Sequence, residues 1–284
     1  MIHVDAFTFP CEGEELLGIL HRPARPFPIA LLILVGGPQY RVGAHRQYVH
    51  LARAAADNGI PAMRFDYRGV GDSSGEYPGF ERVAPDIAAA VAALYERLPK
   101  LQGVVLWGLC EGASAILLGG TDVVGVKGAV LVNPWVHTEE SAANTMLKHY
   151  YGGRLLDKAA WARVFKGEVN ILQSVKSVLG LLKRKLWPQR TRVDNRPYPD
   201  RMADGAKRFT GRLMLLMSER DLVAREFEDV TAASPAWKDV LQNCGAARCD
   251  VADSDHTFSS EAWRRAAADA TIKFIRSFEV EEQD

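Results

Sequence analysis

Four stretches of this chain are almost unbroken apolar runs of strand length: "IALLILVGG" at 29–37, "GVVLWG" at 103–108, "GAVLVNP" at 128–134 and "GRLMLLMSE" at 211–219. A strand with one wet face alternates apolar and polar residues. A run that is apolar at every position is buried on both faces, the mark of an inner strand in a parallel sheet. Helical patterns lie between these runs. "HRQYVHLARAAADNG" (45–59) has helical spacing and an Asn-Gly stop. "ERVAPDIAAAVAALYERL" (81–98) carries Pro85 in its first turn, where the missing N–H has no partner to lose. A helix around 224–241 and "SEAWRRAAADATIKFIRSF" (260–278) follow, and "IPAMRFDY" and "ARCDVADS" supply further strands. "HVDAFTF" and "ELLGILHRP" read as a leading pair. Alternating βα units predict a mainly parallel, doubly wound sheet.

The rhythm stops from 137 to 207, a polar, Lys/Arg-rich stretch with helical patterning ("SVKSVLGLLKRKLW"). It predicts a core built from 1–136 and 208–284, with 137–207 inserted as a helical lid over the side where strands end and ligands bind. Composition sets further bounds. Formal net charge is zero, which argues against nucleic acid as a partner. No run approaches the ~18 apolar residues of a membrane span. "MIHVDAFTFPCEGEE" lacks the basic start and apolar centre of a signal peptide. Cys11, Cys110, Cys244 and Cys249 form no C-x-x-C pair, so the expectation is no metal, no cofactor and a reducing, cytoplasmic setting.

The chemistry is concentrated in "LWGLCEGAS" (106–114). Gly-x-nucleophile-x-Gly between a strand and a helix is a nucleophile elbow, with glycines at 108 and 112 where side chains would collide. The turn sets Cys110 at a helix N-terminus, where the thiolate is favoured. A buried structural cysteine in a glycine-rich turn is the plainer alternative. A nucleophile needs a base and an orienting acid. Asp221 follows "LMLLMS", and His256 follows "ARCDVADS" in the loop before the last helix. Glu219, Asp253 and Asp255 compete with Asp221 for the acid role. The oxyanion donors should be the backbone N–H of Glu111 and of Gly37, the latter in "GGPQYRVG", because Pro38 has no N–H to give.

These segments together resemble the α/β-hydrolase superfamily. "VGGP" is similar to its HGGP-type loop, with valine for histidine, and "DYRGVGDSSG" (66–75) resembles its D-x-R-G-x-G-x-S segment. "GLCEG" corresponds to the elbow, and "ERD" and "DHTF" to the acid and histidine loops. The resemblance covers the chain outside 137–207 and implies an α/β-hydrolase fold with an eight-stranded sheet. More narrowly, "VGGPQYRVGAHRQY", "RFDYRGVGDSSG" and "GLCEG" resemble the hydrolases associated with the exosortase A system, found beside bacterial exopolysaccharide genes. Cysteine in place of serine is shared with dienelactone hydrolases and polyhydroxyalkanoate synthases.

"DYRGVGDSSG" lacks the spacing of a phosphate loop, so Arg68 is expected to make internal hydrogen bonds there. "LLKRKLWPQR" (181–190) reads as a solvated lid face, or as a contact for an acyl carrier protein or an anionic membrane surface. The expected activity is acyl hydrolysis of an ester or thioester, a small-molecule substrate, through a Cys110–His256–Asp221 triad. Acyl transfer to a hydroxyl or amine is the alternative, and a non-catalytic binding protein the reading from another class.

Overall fold

The computed structural model describes residues 2–37, 39–137 and 196–279. Chain contacts divide the protein into two units, Met1–His137 with Tyr198–Asp284, and Thr138–Pro197. The lid expected at 137–207, with its basic segment, therefore falls largely outside the described residues.

The first unit is built on eight strands: β1 (Ile2–Cys11), β2 (Glu14–Pro23), β3 (Ile29–Leu34), β4 (Ala62–Phe65), β5 (Gly103–Leu109), β6 (Val126–Val132), β7 (Arg212–Ser218) and β8 (Ala247–Val251). They pair in the order β1-β2-β4-β3-β5-β6-β7-β8. β1 and β2 form an antiparallel hairpin, β2 runs antiparallel to β4, and every pairing from β4 to β8 is parallel. The apolar runs are the inner strands, as expected: every residue of β3 and β5 is buried.

The helices are α1 (Gln47–Asp57), α2 (Ala84–Arg97), α3 (Glu111–Leu118), α4 (Tyr198–Arg208), α5 (Leu222–Ala233), α6 (Val240–Asn243) and α7 (Glu261–Arg276). Neighbouring residues of β5 show that they cover both faces. Trp107 meets Tyr48 of α1 edge-on at 5.8 Å, whereas Leu106 faces the side that Ile87 of α2 packs on. Pro85 opens α2, as the sequence predicts.

Two expectations need correction. The helix read across 224–241 is broken: α5 ends at Ala233, a single 3-10 turn holds Pro235–Trp237, and Asp239 takes a left-handed φ of 58° before α6. The core also resumes at Tyr198 rather than at 208. α4 lies against α3 so closely that a Cβ at Gly205 would stand 1.7 Å from the Leu117 carbonyl oxygen.

At the open edge, β8 is short and carries charge. Arg248 pairs with Asp250 on the same strand and with Glu228 of α5. No helix among the described residues is long and apolar enough to cross a membrane.

Candidate active site

β3 leads to β4 on one side and neighbours β5 on the other, so the strand order reverses between β3 and β5, where open α/β sheets bind ligands. The loops after β3 and β5 meet there. Cys110 links β5 to α3 with φ 58° and ψ −123°, a conformation that L-residues seldom adopt and that a crowded site must hold in place. Its carbonyl accepts the N–H of Ala113 at 3.0 Å and of Ser114 at 3.2 Å, while its own N–H donates to Val132 of β6 at 2.9 Å. The turn closes on its glycines. A Cβ at Gly108 would lie 2.4 Å from the Gly112 carbonyl carbon, whereas one at Gly112 would lie 3.0 Å from the Val35 oxygen. The first is impossible without movement, and the second is merely tight.

Asp221 and His256 come together as the sequence predicts. Asp221 caps α5 by accepting the Val223 N–H at 3.0 Å, and its other carboxylate oxygen lies 2.6 Å from His256 Nδ1. Asp221 is buried and the His256 side chain is 30% exposed, so the ring can meet a substrate. Burial opposes protonation of His256. Hydrogen bonds to Asp221 and to Cys110, with the charges of both, outweigh it and hold the imidazole pKa up at about 10. With Nδ1 on Asp221, Nε2 is the nitrogen left for the thiol.

The competing carboxylates are engaged elsewhere. Glu219 accepts the Asp253 N–H at 2.8 Å, Asp253 pairs with Arg220, and Asp255 accepts the N–H groups of Thr257 and Ser259.

Both residues expected as oxyanion donors stand at the elbow. Glu111 is the first residue of α3, so its N–H has no partner within the helix. Gly37 (φ 62°) donates its N–H to Glu111 Oε2 at 3.1 Å. Sequence reasoning missed this contact: the Glu111 side chain, next to Cys110, occupies the second expected donor. Burial pushes the Glu111 carboxyl up, and the Gly37 bond opposes that shift.

Beside them opens a cavity of about 610 Å³ lined by Gly37, Tyr40, Tyr77 and Glu111, with Val70 of the "DYRGVGDSSG" loop. That loop is fixed from within. Arg68 binds Asp86 through Nε and a terminal nitrogen at 2.8–3.1 Å, and donates its N–H to the same carboxylate, as expected. Asp66 accepts the N–H and guanidinium of Arg41 and the N–H of Asp72.

Trp135 and His137, just past β6, form a second feature absent from the sequence reading. Their rings stack at 4.9 Å, and His137 Nδ1 lies 3.1 Å from the buried carboxylate of Glu226. Among the described residues no group of three or more His, Cys, Asp or Glu is placed to hold a metal ion.

A family model described as serine aminopeptidase, S33, matches residues 29–184. An esterase of Pyrococcus furiosus superposes with a TM-score of 0.64 at 15% identity, over 97% of this chain and 92% of its own. A dienelactone hydrolase of Anabaena variabilis gives 0.62 at 12%, over 98% of each chain. A lidless α/β serine hydrolase of Xanthomonas campestris gives 0.57 at 13%, over 96% and 94%. At these identities the likeness is one of fold. Comparison with curated proteins returns no match.

Proposed function

The chain belongs to the serine aminopeptidase S33 family of α/β hydrolases and is a hydrolase, and on that premise we propose that it cleaves esters or thioesters of a small acyl compound with Cys110 in the serine's place. The observation that carries this reading is the 2.6 Å contact of His256 with Asp221, with Cys110 hydrogen-bonded to the same ring across a strained elbow.

In the first step Cys110 Sγ bonds to the substrate carbonyl carbon. The oxygen gains charge and displaces the Glu111 carboxylate from the Gly37 N–H, so that Gly37 and Glu111 both donate to it. The carbonyl re-forms as the bond to the leaving alkoxide or thiolate breaks, and His256 gives that group its proton. Water then attacks the acyl-cysteine, His256 takes the water's proton, the S–C bond breaks, and the acid departs from a restored thiolate. Asp221 orients the ring and stabilises its charge in both halves. A thiol suits a histidine held protonated, because the reactive form of cysteine is the thiolate of an ion pair.

The cavity lined by Tyr40 and Tyr77 supports a place for the acyl or leaving group. The narrower resemblance to exosortase A-associated hydrolases is supported by the spatial convergence of its three segments: Arg41 reaches Asp66, and Gly37 reaches Glu111. Such a thiol enzyme works in a reducing, cytoplasmic compartment, and an acyl carrier protein or membrane surface remains the proposal for the basic 181–190 segment.

Intact-protein mass spectrometry after mixing with a panel of acyl thioesters and aryl esters tests the reading. The expected result is a transient acyl adduct on Cys110 that is absent in Cys110→Ala, together with loss of turnover in that variant. Wild-type turnover by Cys110→Ala overturns it. Adding hydroxyl and amine acceptors separates hydrolysis from acyl transfer by the product formed.

A further inference from the structure

Asn133 is the first residue beyond β6. It is fully buried and has a left-handed φ of 42°, which asparagine tolerates better than most residues. Both polar atoms of its side chain are engaged. Oδ1 accepts the Ser218 N–H at 2.8 Å, and Nδ2 donates to Ser218 Oγ at 2.9 Å and to the His256 carbonyl at 3.2 Å. Ser218, the last residue of β7, passes the contact on: its hydroxyl donates to the Asp255 carbonyl at 3.0 Å. Two uncharged side chains at the ends of adjacent strands thus hold consecutive carbonyls of the histidine loop.

Resting on the triad reading above, we propose that Asn133 and Ser218 are positioning residues for His256. They act through its backbone, as Asp221 acts through its ring. The network is buried, so any other seat for the loop leaves an amide or hydroxyl unpaired, at a cost comparable to a lost hydrogen bond. That penalty selects one loop position, and with it one aim of the imidazole at Cys110. A displacement of about 1 Å in such a group costs roughly 100-fold in rate.

The test uses Asn133→Gly, which keeps the left-handed backbone, with Ser218→Ala, Ser218→Thr and His256→Ala. Two readouts are taken: steady-state kinetics on an aryl ester, and the pH dependence of iodoacetamide alkylation at Cys110. Asn133→Gly should lower kcat by about 10- to 100-fold with KM little changed, and should slow Cys110 alkylation at neutral pH, as His256→Ala does. Ser218→Ala should show a smaller loss that Ser218→Thr, which keeps the hydroxyl, recovers. If Asn133→Gly fails to fold, the Ser218 pair decides the matter alone. Folded variants with wild-type kcat and an unmoved alkylation profile overturn the proposal while His256→Ala still shifts that profile. An unshifted profile in His256→Ala overturns the triad reading itself.

Discussion

Asp66 and Asp86, on the β4 side of the elbow, are fully buried and hold arginines. Asn133 and Ser218, on the β7 side, are as deeply buried and hold only amides and carbonyls. One ion pair on that second side, Arg220 with Asp253, stands at the surface. The difference follows from what each side must do. A loop that only shapes a cavity can be locked by fixed charges. A loop that carries a group whose charge changes during a reaction is better held by neutral bonds, because each fixed charge nearby would move that group's pKa. The charges placed on His256 are those of Asp221 and the Cys110 thiolate, and both stabilise the protonated ring.

The largest break in this comparison should come from Asp221→Asn. It keeps the size of the side chain and removes its charge, so kcat should fall by about 10⁴. A rate within tenfold of wild type would mean that the charge is not needed. On the other side, Asp86→Ala should take away the buried partner of Arg68, leave its guanidinium only the exposed Glu12, and cost about 3 kcal/mol, read as a lowered midpoint in urea. Intermediate in size is the pH dependence of stability. The folded pKa of His256, about 10, lies above the ordinary 6.5. Its protonated ring therefore stabilises the fold fully below about pH 6.5, and that contribution is lost as the pH rises to about 10. The Tm advantage of wild type over His256→Gln should shrink across that window. In Cys110→Ala the upper limit should move down, because the thiolate is one of the causes that raise the pKa. The smallest effect is expected of Glu111→Gln. Exchanging a charged acceptor for a neutral one weakens the competitor on the Gly37 N–H by about 1 kcal/mol, so KM should fall roughly fivefold. An unchanged KM would mean that substrate oxygen does not compete for that donor.

The sequence disclosed most of the frame because its signals are local. The apolar runs identified β3, β5, β6 and β7, and Gly108 and Gly112 marked a sharp turn whose crowding the structure bears out at Gly108. Asp221 and His256 could be chosen because each follows a late strand, and topology carries such ends to one rim of the sheet. What stayed illegible depends on contacts between distant residues. Glu111 reads as an ordinary acidic residue in a first helical turn, and nothing adjacent says that its carboxylate crosses to Gly37. Asn133 merely closes the run "GAVLVNP" in the sequence, and its side-chain partners lie on β7 and the histidine loop. The helix over 224–241 kept apolar spacing at Val230, Trp237 and Val240, which concealed the break at Pro235. α4 was assigned to the insertion because its polar face dominates its composition. The alanines and Gly205 that seat it on α3 are too small to register as a core signal.

The charges on β8 bear on the life of the molecule in a crowded solution. A parallel sheet closed by helices on both faces still ends in a strand with unpaired amides and carbonyls, open to any extended chain that drifts against it. β8 is only five residues long and is studded with Arg248 and Asp250, which answer each other and Glu228. A foreign strand laid along it would have to displace those ion pairs and bury their charges. The same pairs that add little to folding stability thus act as a guard against aggregation, most needed when the protein is newly made and concentrated.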